Sequence, residues 1–114
     1  MGTATIDDQQ LDALFAALSD RTRRDIVARL SAGEATVKEL AEPYAMSLQA
    51  VSQHIGVLER SGLVSQGRHR QTRPCRLEPA ALEAALDWIE ESRRTWSDRM
   101  DRLETHLKRL QEPE

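Results

Sequence analysis

Apolar residues recur along most of this chain at helical spacing, and the pattern predicts a mostly α-helical domain. The first apolar stripe, at spacing i, i+3, i+4 and i+7, consists of Leu11, Leu14, Phe15 and Leu18. It predicts a first helix over residues 7–18. A second helix is expected over residues 21–32, with Asp20 as its N-cap and Gly33 just beyond its end.

The next two helices are predicted to form a helix-turn-helix over residues 36–62. Thr36 and Glu39 have the spacing of a capping box that opens a short third helix, and Pro43 limits its length. Ser47 then caps a fourth helix, which ends near Gly62. A connection of only about four residues between two helices is typical of this motif.

The fourth helix has two faces of different chemistry. At 100° per residue, one face gathers side chains that we expect to be buried, namely Leu48, Val51, Ile55 and Leu58. The opposite face carries Gln49, Gln53, Gly56 and Arg60, flanked by Ala50 and Ser52. Gln can bond adenine N6 and N7 together, and small residues admit a thymine methyl, so this face is a candidate for reading DNA bases. A merely polar surface is the alternative.

A basic hairpin is predicted after the fourth helix. Residues 63–66 and 72–77 are expected to be its two strands, and Gly67 allows the bend between them. Pro74 favours an edge strand, which a two-stranded hairpin provides. The hairpin crowds four arginines, Arg68, Arg70, Arg73 and Arg76. This crowding favours a phosphate-binding hairpin over the alternative of a solvated loop.

The last helix is the longest, and its apolar positions follow a heptad pattern. The spacing alternates between four and three residues along Leu82, Leu86, Ile89, Arg93, Trp96, Met100, Leu103, Leu107 and Leu110. With Pro79 at its start, it is expected to cover residues 79–110. Arg93 is its one polar member, and would fix the register of a dimer or pair with Glu90 or with an acid of another chain.

About 30 residues of helix extend roughly 45 Å, which is longer than so small a domain can cover. Because a stripe of apolar side chains is unfavourable in water, we expect a second copy of the chain to cover it, with the first helix joining the interface. The expected interface consists of Leu11, Leu14, Phe15, Leu86, Ile89, Arg93, Trp96, Met100, Leu103 and Leu107. Packing of the helix only on its own core is the alternative.

Composition and charge add a basic centre to this picture. The 114 residues are 39% hydrophobic and 4% aromatic, which suits one domain with an aliphatic core. The net charge is −3, but residues 21–76 hold ten Lys or Arg and five acids, a net charge of +5. Acidic ends around a basic middle are typical of a nucleic-acid-binding protein, although uneven surface charge alone would give the same numbers.

Several other classes of protein are not favoured. No apolar run approaches the ~18 residues of a membrane span, and the first residues lack the features of a signal peptide. The single cysteine, Cys75, fits a reducing cytoplasm. Arg73 and Arg76 near it could favour a thiolate, but we expect no redox role. No catalytic constellation or set of metal ligands is present, so we expect no enzyme activity, metal or cofactor.

Several segments resemble the ArsR-type winged helix-turn-helix repressors. The resemblance lies in residues 18–27, 37–43 and 46–64. Its most specific part looks like a recognition helix entering its wing, and it consists of residues 50–54, 57–59 and 62–64. Residues 75–82 and 101–104, together with Trp88, Arg93 and Trp96, are similar to a subgroup without metal ligands. The resemblance covers residues 11–110.

This resemblance implies one winged-helix domain over residues 1–114, mostly α with five helices, a small β-hairpin wing and a long C-terminal dimerisation helix. It implies a cytoplasmic homodimer that binds two-fold symmetric double-stranded operator DNA and usually represses. The base- and phosphate-contacting part of the recognition helix would be Ser47, Gln49, Ala50, Ser52, Gln53 and His54. The wing contacts would be Arg68, His69, Arg70 and Arg73.

Three questions stay open for the sequence. Similar proteins usually carry Lys or Arg where this chain has Gly56, so either the wing arginines compensate for a missing phosphate contact or the helix lies closer to the groove. A small-molecule effector would find a pocket beside Trp88, Arg93 and Trp96, which otherwise pack in the interface. The alternative function is a coiled-coil protein-interaction module without sequence-specific DNA binding.

Overall fold

The computed structural model describes residues 7–67 and 73–112. Within these residues, five helices and three short strands follow in the order α1 (Asp8–Ala17), α2 (Arg21–Ser31), β1 (Ala35–Thr36), α3 (Val37–Ala41), α4 (Leu48–Arg60), β2 (Val64–Gln66), β3 (Pro74–Leu77) and α5 (Pro79–Gln111). The winged helix-turn-helix fold predicted from the sequence is confirmed.

Four of the five described helices begin where a side chain accepts a hydrogen bond from a free backbone N–H group. The four caps, in chain order, are Asp7, Asp20, Thr36 and Ser47. Thr36 and Glu39 form the predicted capping box, with N···O distances of 2.9 and 3.1 Å. The connection between α3 and α4 runs over residues 42–47 and is longer than predicted.

Helix α4 ends in a Schellman motif that leads the chain into the sheet. The N–H groups of Gly62 and Leu63 donate to the carbonyl oxygens of Glu59 and Leu58, each at 3.1 Å. Gly62 has a φ of 85°, a left-handed conformation that glycine adopts without steric cost. Because Leu58 and Leu63 are fully buried, the motif also fixes the start of β2 on the core.

The sheet differs from the predicted two-stranded hairpin. Strands β2 and β3 pair antiparallel, with Gln66 opposite Cys75, and β1 pairs with the other side of β3. The order β1-β3-β2 makes β3 the central strand, so the prediction that Pro74 marks an edge strand was wrong. Pro74 is tolerated because it is the first residue of β3, and its carbonyl oxygen still accepts from the N–H of Gly67 at 2.8 Å.

The core lies between α1, α2, α3, α4, the sheet and the first turns of α5. Its fully buried side chains include Leu14, Ile26, Leu40, Val51, Ile55, Leu58, Leu63 and Cys75. Leu48 is a correction to the predicted buried face of α4, because its residue is 53% exposed. It borders an open groove along α3, lined by Lys38, Ala41 and Glu42, instead of facing the core.

Helix α5 has 33 residues, about 50 Å of helix, and it gives the molecule its longest dimension of 77 Å. Its buried residues, Ala81, Ala84 and Ala85, all lie in the first two turns. A single residue, Glu78, separates α5 from β3. The N–H of Glu78 donates to Leu63 at 2.8 Å, and its carboxylate accepts from the Ser65 hydroxyl at 2.5 Å. None of the described helices is long and apolar enough to span a membrane.

Candidate nucleic-acid interface

The outward face of α4 presents most of the side chains that the sequence assigned to DNA. Ser47, Gln49, Ser52 and Gln53 are exposed, and Ala50 is half-buried. The Ser47 oxygen accepts a hydrogen bond from the N–H of Ala50 at 3.1 Å, which leaves the hydroxyl hydrogen free to donate outward. The N-terminal turn of α4 therefore offers hydroxyl, amide and small side chains next to free backbone N–H groups, a combination suited to phosphates and base edges.

His54 has one side held by the protein. Its Nδ1 lies 3.2 Å from Nη1 of Arg23 and 3.9 Å from a carboxylate oxygen of Asp20. Arg23 is itself fixed, because its Nε donates to the carbonyl oxygen of Ala17 at 2.7 Å. Because an arginine side chain only donates, Nδ1 accepts in this hydrogen bond, and the hydrogen of the ring then lies on Nε2. His54 can therefore offer DNA one N–H donor in a fixed orientation.

Asp20 supports this arrangement from the start of α2. Its carboxylate accepts from the backbone N–H of Arg23 at 3.0 Å. That hydrogen bond, together with a smaller effect of the Arg23 side chain, lowers the pKa of Asp20. The charged form of Asp20 thus caps α2 and keeps Arg23 beside the N-terminal end of that helix.

Two arginines at the base of the wing have different surroundings. Arg76 lies 3.8 Å from Glu78 and 4.0 Å from Glu34, so carboxylates balance its charge. Arg73 is exposed and has no ion pair within the described part of the chain. Arg68, His69 and Arg70, the other predicted wing contacts, lie outside the described residues. Of the two wing arginines that the structure describes, Arg73 is therefore the one without a carboxylate partner.

Cys75 is not a reactive thiol. Its side chain is fully buried, and burial, with a smaller contribution from the Glu59 carboxylate, raises its pKa to about 11. The idea that Arg73 and Arg76 could favour the thiolate was wrong, because the thiol is removed from water and the charge that acts on it is the negative charge of Glu59. Within residues 7–67 and 73–112, no three His, Cys, Asp or Glu side chains cluster as metal ligands would.

An apolar stripe follows α5 beyond the core. Its members are 45% to 69% exposed, and they are Leu86, Ile89, Trp96, Met100, Leu103, Leu107 and Leu110. Trp88, on a neighbouring line of the helix, is 51% exposed and meets the ring of Phe15 edge-on, with 5.7 Å between centroids. Phe15 and Leu11 of α1 are partly buried against the core, and the contact between Phe15 and Trp88 joins α1 to α5. A stripe of this length marks an interaction surface.

Two of the predicted interface residues have partners within their own chain. Leu14 has no exposed surface and lies in the core, so it has nothing left to offer a second copy. The Nε of Arg93 is 3.2 Å from both carboxylate oxygens of Glu90, the partner that the sequence offered among its alternatives. This hydrogen bond lowers the pKa of Glu90 and raises that of Arg93. The pair lies on the exposed surface and leaves the stripe on either side of it open.

Sequence reasoning missed the surroundings of two side chains on the α4 surface. Leu48 was expected in the core but is exposed beside Ser47 and Gln49. Arg60 was placed on the outward face without a role. In the structure, the guanidinium of Arg60 lies over Gly56. The sequence spacing could have indicated this contact, because Gly56 precedes Arg60 by one helical turn on the same face.

Known proteins have sequences similar to this chain. A family described as a helix-turn-helix domain matches residues 18–66, from the C-cap of α1 to the end of β2. The transcriptional repressor SdpR of Bacillus subtilis (strain 168) is 29% identical over 79 residues, which cover 69% of this chain and 88% of that protein.

Solved structures extend the match to most of the chain. The crystal structure of the ArsR family transcriptional regulator RHA00566 has a TM-score of 0.76 at 38% identity, and the match covers 82% of this chain and 96% of that one. The solution structure of Mb0332 from Mycobacterium bovis, a homodimeric winged helix-turn-helix DNA-binding domain, has a TM-score of 0.60 at 25% identity over 81% of this chain and 93% of that one. These relatives are transcriptional regulators or DNA-binding domains.

Proposed function

The chain belongs to the ArsR family of winged helix-turn-helix transcriptional regulators, and we propose that it is a dimeric repressor of a two-fold symmetric operator. The observation that carries this proposal is the outward face of α4. Gln49 and Gln53 lie one turn apart there, with Ser47 and Ser52 beside them and no lysine or glutamate on the first two turns. An ordinary solvated helix would carry Lys and Glu at such positions, whereas this set can bond base edges in the major groove.

In this proposal, contacts to bases and contacts to phosphates come from different elements. Gln49, Gln53 and the small residues Ala50 and Ser52 read base edges. The backbone is gripped by the N-terminal turn of α4, by the Nε2–H of His54 and by the wing, represented in the described residues by Arg73. Phosphate contacts fix the position of the protein, and base contacts select the sequence.

A homodimer supplies the symmetry that the operator requires. The apolar stripe of α5 and the adjoining surface of α1 are the proposed contact. The Mycobacterium bovis domain, which is homodimeric, supports a dimer. Two recognition helices related by a two-fold axis would enter successive major grooves about 34 Å apart. Together the two copies would bring a net charge of about +10 from residues 21–76 to the DNA and hold the acidic α5 helices away from the phosphates. Repression would then follow from occupancy of a promoter, in the cytoplasm.

The experiment titrates the protein into two labelled DNA duplexes and measures binding by fluorescence anisotropy. One duplex carries the DNA upstream of the gene, and the other carries an unrelated sequence. The wild type should prefer its own DNA, and its affinity should fall by orders of magnitude between ~50 and ~200 mM salt. Gln53→Ala should lose affinity for the cognate duplex only, by ~1–3 kcal/mol. Arg73→Ala should weaken both duplexes by a similar factor.

Two results would refute the proposal. No binding to either duplex at low salt, from a protein that is folded and dimeric, would instead favour the protein-interaction module. Equal behaviour of the Gln53 and Arg73 variants would refute the division between base reading by α4 and backbone contact by the wing.

A further inference from the structure

Arg60 is the only arginine or lysine of α4, and it stands on the face that the proposed function assigns to DNA. At 100° per residue, Gln49, Gln53, Gly56 and Arg60 fall within about 60° of arc. The buried side chains Val51 and Leu58 lie on the opposite side of the helix. Arg60 therefore continues the line of base-reading side chains toward the C-terminal end of α4.

The guanidinium of Arg60 does not extend away from the helix but folds back over Gly56. Its Nη1 lies 3.3 Å from the position that a Cβ atom on Gly56 would occupy, and its Cζ lies 3.9 Å from that position. Side chains on a helix point toward its N-terminus, and the missing side chain at Gly56 leaves room for the charged group. The charge thus sits about one helical turn, roughly 5.4 Å, closer to Gln53 than the backbone of Arg60 does.

No acid neutralises this guanidinium. Within residues 7–67 and 73–112, no carboxylate forms an ion pair with Arg60. The neighbouring acid in sequence, Glu59, is turned toward the sheet, where its carboxylate accepts from the Gln66 amide at 3.4 Å. Arg60 is exposed, so its N–H donors are free to bind an anion.

We propose that Arg60, seated over Gly56, is a binding site for a backbone phosphate of the DNA whose bases α4 reads, an inference that rests on the proposed function. A guanidinium binds phosphate oxygens through two parallel N–H groups, and its planar shape fits the flat space over a glycine. The glycine is then part of the site, because it lets a residue one turn away deliver the charge to this position. This answers the question that Gly56 raised in the sequence, since the contact comes from neither the wing nor a closer approach of the helix.

The test moves the positive charge from position 60 to position 56 and measures the salt dependence of DNA affinity. Three variants are compared with the wild type on the cognate and unrelated duplexes, namely Arg60→Ala, the double variant Gly56→Arg with Arg60→Ala, and the control Arg102→Ala, which removes an exposed arginine of α5. Arg60→Ala should weaken binding to both duplexes by about tenfold at ~100 mM salt, and reduce the slope of log affinity against log salt by about 0.9 per protomer. The double variant should recover most of the affinity and the slope, and Arg102→Ala should change neither.

The possible outcomes distinguish failure of the Arg60 site from failure of the proposed function. Failure of the wild type to bind DNA would remove the proposed function and this site with it. Normal wild-type binding combined with an unchanged affinity and slope for Arg60→Ala would overturn the site and leave the function standing. A loss confined to the cognate duplex would overturn the phosphate assignment, because Arg60 would then read a base. A folded double variant that recovers neither quantity would overturn the placement over Gly56.

Discussion

Replacing Leu103 by aspartate should separate the proposed dimer into monomers that remain folded. Leu103 is 50% exposed and lies in the middle of the stripe on α5, far beyond the last buried residue of that helix, Ala85. The change therefore removes no contact with the core of its own chain. Its effect should appear in association and not in the stability of the fold.

The magnitude follows from the exposed surface. Complete burial of a leucine contributes about 1.5–3 kcal/mol, so covering the exposed half of Leu103 contributes roughly 1 kcal/mol in each protomer. A two-fold interface contains this residue twice, and each aspartate adds a cost of about 1 kcal/mol or more for burying part of a charge. The sum of about 4 kcal/mol corresponds to an increase in the dimer Kd of nearly three orders of magnitude.

Sedimentation velocity over a roughly 100-fold range of concentration measures this change directly. The matched control is Thr105→Asp, which adds the same charge two residues away, off the heptad line. Thr105→Asp should remain as dimeric as the wild type. Equal dissociation of both variants would show that added negative charge on α5, and not loss of the stripe, separates the chains. An unchanged Leu103→Asp dimer, or a wild type that is monomeric throughout, would refute the interface.

Three further predictions concern the protomer itself. Leu14→Ala should lower the free energy of unfolding by about 2–5 kcal/mol in urea titrations, and a loss below about 1 kcal/mol would contradict its place in the core. The Cys75 thiol, with a pKa of about 11, should react with a disulfide reagent near pH 8 far more slowly in the folded than in the unfolded protein, and equal rates would contradict its burial. Because folding lowers the pKa of Asp20, its charged form contributes stability above the unfolded pKa of about 4, and that contribution disappears as the pH falls through the folded pKa. Asp20→Asn keeps an N-cap without titrating, so its unfolding free energy should depend less on pH below about 5, and parallel curves for the two proteins would refute this.

The parts of the fold that local chemistry determines could be predicted from the sequence. The caps at Asp20, Thr36 and Ser47 act within three residues, and the structure contains all three. The heptad spacing of α5 is also a local property, and it is sufficient to locate the exposed stripe. The same holds for the outward face of α4, because helical periodicity alone separates it from Val51, Ile55 and Leu58.

The errors arose where distant segments meet. Strand β1 has only two residues, Ala35 and Thr36, and nothing in them indicates that they pair with β3; for this reason Pro74 was assigned to an edge. Leu14 and Leu11 belong to one stripe of α1, and only the position of the other helices decides which of them is fully buried. Leu48 is exposed because of where α3 lies. In the same way, the bond between Arg23 and His54 joins α2 to α4 and has no signature in sequence spacing.

The single residue between β3 and α5 has a mechanical consequence. Glu78 is held by its N–H bond to Leu63 and by the Ser65 hydroxyl, so the wing and the long helix meet in a stiff joint and not in a hinge. A change in the angle at which two α5 helices cross would then swing both wings by a corresponding amount. In the proposed dimer, the distance between the two DNA-binding surfaces would therefore depend on how the long helices pair. Any event that tilts one α5 against the other would then change DNA binding, although no residue in contact with the DNA is altered.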